Sequence, residues 1–242
     1  MSVARAPYRY AFAAHPTGAL RLDLAGVEAL CRPAGVLWLE AWSALIVADL
    51  HLEKGSAYAA RGQLLPPYDT RDTLTRLEAE VAALAPRILI FLGDTFHDRE
   101  AETRLGADDL DRLRAMAVGR TLVWVLGNHD AAGPRALPGE TAAHLTLGTF
   151  TLVHEPADGP RPAEIAGHLH PCARVRTKSA SVRRRCFVTD GERLILPAFG
   201  AFAGGLNIRD PAFARLLIRR PLAAVLGARR VHAVGWASLG GD

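Results

Sequence analysis

The sequence predicts an α/β fold in which two mixed β-sheets pack face to face and helices flank them. Apolar runs rich in β-forming residues recur along the chain, and amphipathic helical patterns separate the early runs. The later runs follow one another without helices between them. A β-α-β-α-β first half predicts parallel strands joined by helical crossovers, and the strand-rich second half predicts a second sheet packed on the first.

The strands and helices of the first half are set by their hydrophobic spacing. VLWLEA (36–41), LIVADL (45–50), ILIFLGD (88–94) and TLVWVLGNHD (121–130) are the predicted strands with the turns that end them. A helix is predicted after the proline pair at 66–67, because four apolar residues share one helical face. These residues are Leu74, Leu77, Val81 and Leu84. A second helix is predicted from Leu110, Leu113 and Met116.

The second half reads as one strand after another. The predicted strands are TFTLVHEP, EIAGHLHP, RRCFVTDG and RLILPAFG, followed by an apolar tail around VHAVGWASL. The chain shows no internal repeat, low-complexity tract or long linker. With 242 residues, half of them hydrophobic, we expect a single domain over residues 1–242.

The cysteines and the amino-terminal segment indicate the cellular compartment in which the protein is expected. Cys31, Cys172 and Cys186 show no C-x-x-C spacing, so neither a disulfide framework nor a thiolate zinc site is indicated. The first 20 residues are interrupted by Arg, Pro and His, and no apolar run approaches the ~20 residues that span a bilayer. We therefore expect a cytoplasmic protein that does not contact a membrane.

Basic residues are grouped rather than spread evenly. The formal net charge is +4, which permits a polyanionic partner without requiring one. The first group is Arg174, Arg176, Lys178, Arg183, Arg184 and Arg185, and the second is Arg215, Arg219, Arg220, Arg229 and Arg230. Each group fits either a solvated face or a phosphate-binding surface, and the first is the candidate nucleic-acid-binding surface.

Polar side chains follow five of the predicted strands. The segments are LIVADLH, ILIFLGDTFHD, TLVWVLGNHD, TLVHE and EIAGHLH, each ending in Asp, Asn or His. Ligands bind beyond the carboxyl ends of strands in open α/β sheets, so these groups are expected to converge there. Asp49 and His51 lie two residues apart on an extended segment and point to the same side, where they can hold one cation together.

The ligand types at these strand ends predict a metal centre. Imidazole, carboxylate and amide oxygen suit manganese, iron or zinc. The seven candidate ligands are Asp49, His51, Asp94, Asn128, His154, His168 and His170. Seven ligands suffice for two cations, and a shared carboxylate can bridge metals ~3.5–4 Å apart, as in phosphoester hydrolysis.

The same segments resemble the calcineurin-like metallophosphoesterases. That superfamily carries D-x-H, G-D-x-x-(D/H), G-N-H-(D/E), an isolated His and G-H-x-H in this order. Here the motifs are DLH at 49–51, GDTFHD at 93–98, GNHD at 127–130, His154 and GHLH at 167–170. The resemblance covers about residues 45–200 and implies a four-layer α-β-β-α sandwich.

The resemblance also implies a role for each site residue. The first metal would be held by Asp49, His51, Asp94 and His170, and the second by Asp94, Asn128, His154 and His168. His129 would contact the scissile phosphate and assist the leaving oxygen. His97 stands where many of these phosphatases have Asp, which resembles the superfamily's double-strand-break repair nucleases; it would support His129, and Asp98 would supply part of the orienting pair.

Four longer sequence segments make the resemblance more specific, to one group within the superfamily. ADLHLEKGSAYAARGQLLPPYDT, AEIAGHLHP, SVRRRCFVTDG and LPAFGAFAGGLN are similar to the bacterial ligase-associated metallophosphoesterases. That implies a manganese-dependent DNA phosphodiesterase or endonuclease in the DNA-damage response, associated with an ATP-dependent DNA ligase, a helicase and an exonuclease. The alternatives are a phosphomonoesterase or nucleotide hydrolase, a non-catalytic scaffold, and a subunit acting mainly through those partners.

Overall fold

The computed structural model describes residues 11–176 and 180–242, which form two mixed β-sheets and a few helices. The eight strands of the first sheet lie in chain order. They are β1 (Phe12–Ala14), β2 (Leu20–Leu24), β3 (Val27–Cys31), β4 (Leu37–Leu39), β5 (Ala44–Val47), β6 (Ile88–Leu92), β7 (Thr121–Val125) and β8 (Glu140–Ala142). Strands β1 to β5 pair antiparallel, and β5 to β8 pair parallel.

Parallel pairing in the first sheet requires crossovers, and helices supply two of them. The five α-helices of the described chain are α1 (Lys54–Ala59), α2 (Asp69–Leu84), α3 (Ala101–Arg104), α4 (Ala107–Met116) and α5 (Pro211–Ala214). The helices predicted from apolar spacing are α2 and α4, and Leu74, Leu77, Leu113 and Met116 are buried. No helix of the described residues is long and apolar enough to span a bilayer.

The second sheet combines the strands of the second half. They are β9 (His144–Leu147), β10 (Phe150–Val153), β11 (Glu164–Ala166), β12 (Pro171–Arg176), β13 (Ser181–Thr189), β14 (Leu194–Ile195), β15 (Leu206–Asn207), β16 (Leu222–Leu226), β17 (Val231–Gly235) and β18 (Leu239–Gly240). The main order is β15-β12-β13-β14-β11-β10-β9, with β16 beside β13 and β18 beside β12. Strands β10, β11 and β14 are parallel, and β12 pairs antiparallel with the long β13.

The inner faces of the two sheets share one hydrophobic core. Ile46 and Ile90 of the first sheet belong to the same buried cluster as Phe150, Ile165 and Phe187 of the second. A separate cluster packs α2 and α4 on the outer face of the first sheet, while α5 packs against the second. The predicted fold class, two mixed sheets flanked by helices, is confirmed, although the outer layer over the second sheet contains only the short α5 among the described helices.

Candidate metal centre

The backbone folds back at five of the seven candidate ligands. Asp49, His51, Asp94, His168 and His170 have φ between 44° and 70°, in the left-handed region. Non-glycine residues rarely adopt this conformation, and strain of this kind persists where the surrounding structure enforces it, often at functional sites. Asp49 follows β5, Asp94 follows β6 and the histidine pair follows β11, so the turns direct these side chains to the edge where parallel strands end.

The first group of side chains consists of Asp49, His51 and His170. Their ligand atoms all lie within 4.8 Å of one another. His170 Nε2 lies 3.4 Å from Asp49 Oδ1 and 3.2 Å from His51 Nε2. The Asp49 carboxylate, which is fully buried, also accepts the backbone N–H of His168 at 3.0 Å. The structure therefore brings together two imidazoles and a carboxylate at a site suited to one cation.

The second group consists of Asp94, His154 and His168, whose ligand atoms also lie within 4.8 Å of one another. His154 Nε2 lies 3.3 Å from Asp94 Oδ2 and 3.2 Å from His168 Nδ1. Asn128 Oδ1 lies 3.0 Å from the same His154 nitrogen. The amide oxygen predicted as a ligand thus reaches the group formed by residues from both sheets.

Asp94 stands between the two groups. Its Oδ2 lies 3.3 Å from His154 Nε2, 3.9 Å from His51 Nε2 and 4.0 Å from His129 Nε2. Its other oxygen accepts the backbone N–H of His129 at 2.9 Å. One oxygen of this carboxylate therefore faces imidazoles of both groups, which is the arrangement that a bridging ligand requires.

Three glycines permit these close approaches. A Cβ at Gly93 would lie 2.1 Å from His154 Nδ1, and one at Gly127 would lie 2.2 Å from Asp94 Oδ1. A Cβ at Gly167 would lie 2.8 Å from Asp49 Oδ2. The glycines of GD, GN and GH are thus required because the backbone must touch the candidate ligands.

His129 and His97 stack beside the two groups, with ring centroids 5.5 Å apart and planes 28° apart. His129 Nδ1 donates to the backbone carbonyl of His97 at 2.7 Å. Because a carbonyl only accepts, this bond places a proton on Nδ1 and leaves Nε2 to face the site. The predicted orienting role of Asp98 is corrected here, because its carboxylate binds Arg104 at 2.8 and 2.9 Å and the His97 carbonyl orients the ring.

The two carboxylates favour positive charge at the centre of the site. Burial raises the pKa of Asp94, but the hydrogen bond and charge of His154 outweigh burial and lower this pKa to about 2. Burial lowers the pKa of His154, but the hydrogen bond to Asp94 and the charges of Asp49 and Asp94 raise it to about 9. The same surroundings that hold a proton on His154 would attract a cation, and metal binding displaces such a proton.

The other imidazoles of the centre are shifted in the opposite direction. Burial, reinforced by the charge of His170, lowers the pKa of His51 to about 3. Burial also lowers the pKa of His97, helped by Lys54, and that of His168, helped by His154. Neutral imidazole is the form that binds metals, so His51 and His168 are in the protonation state that ligation requires.

Asp130, in the GNHD segment, has a role that the sequence pattern alone does not predict. Its buried carboxylate accepts the backbone N–H groups of Thr95, Phe96 and Gly127 at 2.7, 3.1 and 3.1 Å. These bonds tie the turn that carries Asp94 to the turn that follows β7. The position of Asp130 at the end of GNHD indicates this role, because an acid so close to candidate ligands is unlike an ordinary solvated turn residue.

The first arginine group lies on the hairpin of β12 and β13, which we call the arginine hairpin. Arg174 and Arg183 pair directly across the strands, and their Nε atoms lie 3.5 and 3.7 Å from Asp242 Oδ1. Arg176 is exposed and donates to the Leu239 carbonyl at 3.4 Å. Lys178, also predicted to bind nucleic acid, lies outside the described residues.

Arg184 and Arg185 are neighbours that face opposite sides of β13. Arg184 is exposed, and its only described side-chain hydrogen bond within residues 11–176 and 180–242 is to the Arg183 carbonyl. The Arg185 guanidinium instead donates to five backbone carbonyls of residues 198–203. The prediction that Arg185 contacts nucleic acid is therefore corrected, because its terminal nitrogens are already bonded within the chain.

The donor set fits divalent cations. Carboxylate, imidazole and amide oxygen converge from both sheets, and the three cysteines are buried as free thiols, with none in the groups described above. Mixed oxygen and nitrogen ligands suit manganese, iron and zinc. The two groups joined by Asp94 therefore match a dinuclear centre in ligand type and number.

Comparisons with known proteins agree with this geometry. The calcineurin-like phosphoesterase family model matches residues 43–178, more than half of the chain. The structure is similar to Pseudomonas putida nuclease MPE, with a TM-score of 0.65, 29% sequence identity and coverage of 93% of this chain and 100% of that one. It also matches Yfce, a phosphoesterase from E. coli, with a TM-score of 0.41, 16% identity and coverage of 79% and 98%. No curated protein matched.

The family match covers all five strand-end motifs and all seven candidate ligands in one continuous stretch, from DLH to GHLH. Members of this family use a dinuclear divalent metal centre to hydrolyse phosphoesters, which is the chemistry that the two groups around Asp94 suit. The chain belongs to the calcineurin-like phosphoesterase family and is a metal-dependent phosphoesterase.

Proposed function

We propose that the chain is a phosphodiesterase with a two-metal centre, acting on DNA as an endonuclease or end-processing nuclease. The observation that carries the proposal is the position of Asp94, whose Oδ2 faces imidazoles of both ligand groups. Similarity to a nuclease over 93% of the chain supports the choice of a diester substrate.

The proposed ligands divide between the two cations. Asp49, His51, Asp94 and His170 hold the first, and Asp94, Asn128, His154 and His168 hold the second. When bound, the two cations neutralise phosphoryl oxygens and lower the pKa of a water molecule towards neutrality. We propose manganese as the metal, with iron and zinc as the alternatives that the same ligands accept.

His129 is placed to handle the leaving group. Its Nδ1 proton is held by the His97 carbonyl, so the ring is fixed and Nε2 is the atom that exchanges protons with the substrate. In its protonated form His129 donates from Nε2 to the departing alkoxide, and His97, stacked beside it, binds a phosphate oxygen. General acid assistance of this kind contributes ~10²–10⁴ in rate.

DNA as the substrate is supported by the arginine hairpin. Arg174 and Arg183 present adjacent guanidinium groups, and Arg184 is exposed on the other face of its strand. A longer polyanion engages several such groups at once, which makes binding sensitive to salt. A free nucleotide would engage fewer of these arginines than a DNA strand would.

The biological setting is also part of the proposal. The resemblance to the ligase-associated group supports a role in DNA repair beside an ATP-dependent DNA ligase, a helicase and an exonuclease. The buried free thiols of the three cysteines support a reducing compartment, the cytoplasm. Co-purification of the tagged chain with those three proteins tests the association, and recovery of the chain alone would contradict it.

The activity is tested with metal-stripped protein and added Mn²⁺. Initial rates on an aryl phosphodiester and on the matching monoester are compared, with Fe²⁺ and Zn²⁺ added back in parallel. We expect turnover of the diester to exceed that of the monoester. Preference for the monoester would replace the proposal with a phosphatase or nucleotide hydrolase, and no turnover of either would favour a scaffold on this fold.

A further inference from the structure

A glycine-rich loop, residues 198–205 with the sequence AFGAFAGG, crosses beside the first ligand group. At one end, Phe199 N–H donates to the Ala48 carbonyl at 2.9 Å and Gly200 N–H to the Asp49 carbonyl at 3.1 Å. Just past the other end, Leu206 N–H donates to the His170 carbonyl at 3.1 Å. The loop is therefore bonded to the backbone of two candidate ligands of the first cation.

The loop has little room to shift against these ligands. A Cβ at Gly200 would lie 2.0 Å from the Leu50 carbonyl oxygen, between Asp49 and His51 in the chain. A Cβ at Gly205 would lie 2.6 Å from the His170 carbonyl oxygen. Because the backbones are in direct contact, a displacement of the loop is transmitted to the residues that carry Asp49 and His170.

Arg185 holds the loop from the side of β13. Its two terminal nitrogens donate to five carbonyls of the loop at 2.7 to 3.3 Å. The acceptors are the carbonyls of Ala198, Phe199, Gly200, Ala201 and Ala203. Burial lowers the pKa of Arg185 somewhat, yet the guanidinium stays charged at neutral pH.

The arrangement needs an arginine. Five carbonyl dipoles that point at one place repel one another unless a cation lies between them. The two terminal nitrogens of a planar guanidinium offer four N–H donors in fixed directions, which the five carbonyls share, whereas the ammonium of a lysine offers three on a flexible stem. The conformation of the loop therefore depends on the shape of the Arg185 side chain as well as on its charge.

We propose that Arg185 is a positioning residue for the first cation site, acting through the glycine-rich loop on Asp49 and His170. The inference rests on the proposed two-metal function. Groups that orient metal ligands typically contribute 10- to 100-fold to metal affinity. Arg185 thus tunes the metal centre, while the exposed arginines of the hairpin remain the candidates for DNA contact.

The test is a Mn²⁺ titration of metal-free protein by calorimetry, for the wild type, Arg185→Gln and Arg185→Lys. We expect Arg185→Gln to weaken one of the two sites about 10-fold or more and to leave the other closer to its wild-type affinity. Arg185→Lys keeps the charge but not the five bonds, so we expect a loss at the same site. Excess Mn²⁺ should restore kcat in both variants.

The matched control is Arg184→Gln, which removes the same charge from the adjacent, exposed position. It should bind Mn²⁺ as the wild type does. The salt dependence of DNA binding should change in the control and not in the Arg185 variants. Loss of one phosphate contact lowers the slope of log binding constant against log salt concentration by about 1. We expect that change in Arg184→Gln and not in the Arg185 variants.

The outcomes separate the inference from the function on which it rests. Unchanged Mn²⁺ affinity in folded Arg185 variants would overturn the positioning role, and a lowered salt slope with it would return Arg185 to DNA contact. Equal weakening of both sites, without rescue by Mn²⁺, would mean that Arg185 contributes only to the overall stability of the fold, and would overturn the positioning role. A wild type that binds no Mn²⁺ would instead refute the two-metal function itself.

Discussion

The metal centre and the arginine hairpin are both rich in charged or metal-binding side chains. The partners of these side chains differ between the two regions. In the metal centre, Asp49, Asp94 and the histidines face one another at 3.2 to 4.0 Å. In the hairpin, Arg185 is saturated by backbone carbonyls, and Arg174 and Arg183 share Asp242. The metal centre gathers its ligand atoms around one place, whereas in the hairpin Arg174, Arg183 and Arg185 have partners elsewhere in the chain.

The difference indicates where a ligand belongs. Imidazoles packed against imidazoles gain little from one another, as do His51 and His170, whose Nε2 atoms lie 3.2 Å apart. Such a pair is stabilised when a cation enters between the two nitrogens. A guanidinium bonded to five carbonyls gains nothing from a phosphate. A guanidinium that is fully bonded within the chain, such as that of Arg185, is therefore structural, whereas Arg183 and Arg184 are exposed and remain candidates for binding a phosphate.

The largest effect is expected from Asp94→Ala. Loss of the carboxylate that faces both groups removes a ligand from each proposed cation site, so we expect diester hydrolysis to fall by roughly 10³-fold or more. The metal content of the purified variant, measured by elemental analysis, should fall at the same time. Full metal content with full activity would show that the two groups do not depend on Asp94.

His129→Ala should separate chemistry from metal binding. We expect both metals to remain and diester hydrolysis to fall ~10²–10⁴-fold, because the ring that meets the leaving oxygen is lost. The rate difference between a diester with an activated leaving group and one with an unactivated leaving group should be wider in the variant than in the wild type, because a general acid helps the poorer leaving group most. Loss of metal in parallel with activity would make His129 a ligand instead.

Gly93→Ala tests the close packing of the metal centre against a control with the same backbone conformation. Gly93 has φ of 75° and would place a Cβ 2.1 Å from His154 Nδ1, whereas Gly119 has φ of 72° and open space around it. We expect Gly119→Ala to lose about 1–2 kcal/mol of unfolding free energy from backbone strain alone. Gly93→Ala should lose more, with weaker metal binding; equal losses would mean that the packing contact is unimportant.

The smallest effect is expected from Arg184→Gln on DNA cleavage. One exposed phosphate contact should change KM for DNA a few-fold and lower the salt dependence by about 1 in slope, with kcat on an aryl diester unchanged. Arg114→Gln, which removes one positive charge from α4, is the control. Equal effects of the two substitutions would indicate that only net charge matters.

The metal centre could be predicted because topology fixes it. Parallel strands such as β5, β6 and β7 end at one edge, so polar residues that follow them must meet wherever the connections permit. The parallel strands β10 and β11 of the second sheet contribute His154, His168 and His170 in the same way, so the seven candidate ligands come together, and α2 and α4 follow from their apolar spacing. The prediction depends on which residues follow the end of each strand at this edge, and not on the residues within the strands.

Other features depend on contacts between distant segments. The sequence shows six basic residues around β12 and β13, but not that Arg185 faces residues 198–203 while Arg184 faces solvent. The orienting bond to His129 comes from a backbone carbonyl, which side-chain types do not reveal. The amino-terminal strands β1 to β3 are not among the strands predicted from the sequence, although the LRLDL of β2 alternates buried and exposed residues as a half-covered strand does.

Electron paramagnetic resonance during Mn²⁺ titration reports whether one site holds two cations that both depend on Asp94. We expect metal-free protein to take up two equivalents per chain, with a spin-coupled signal appearing as the second binds and disappearing in Asp94→Ala. Saturation at one equivalent, or two uncoupled ions whose binding is unaffected by Asp94→Ala, would rule out a two-cation site that depends on Asp94.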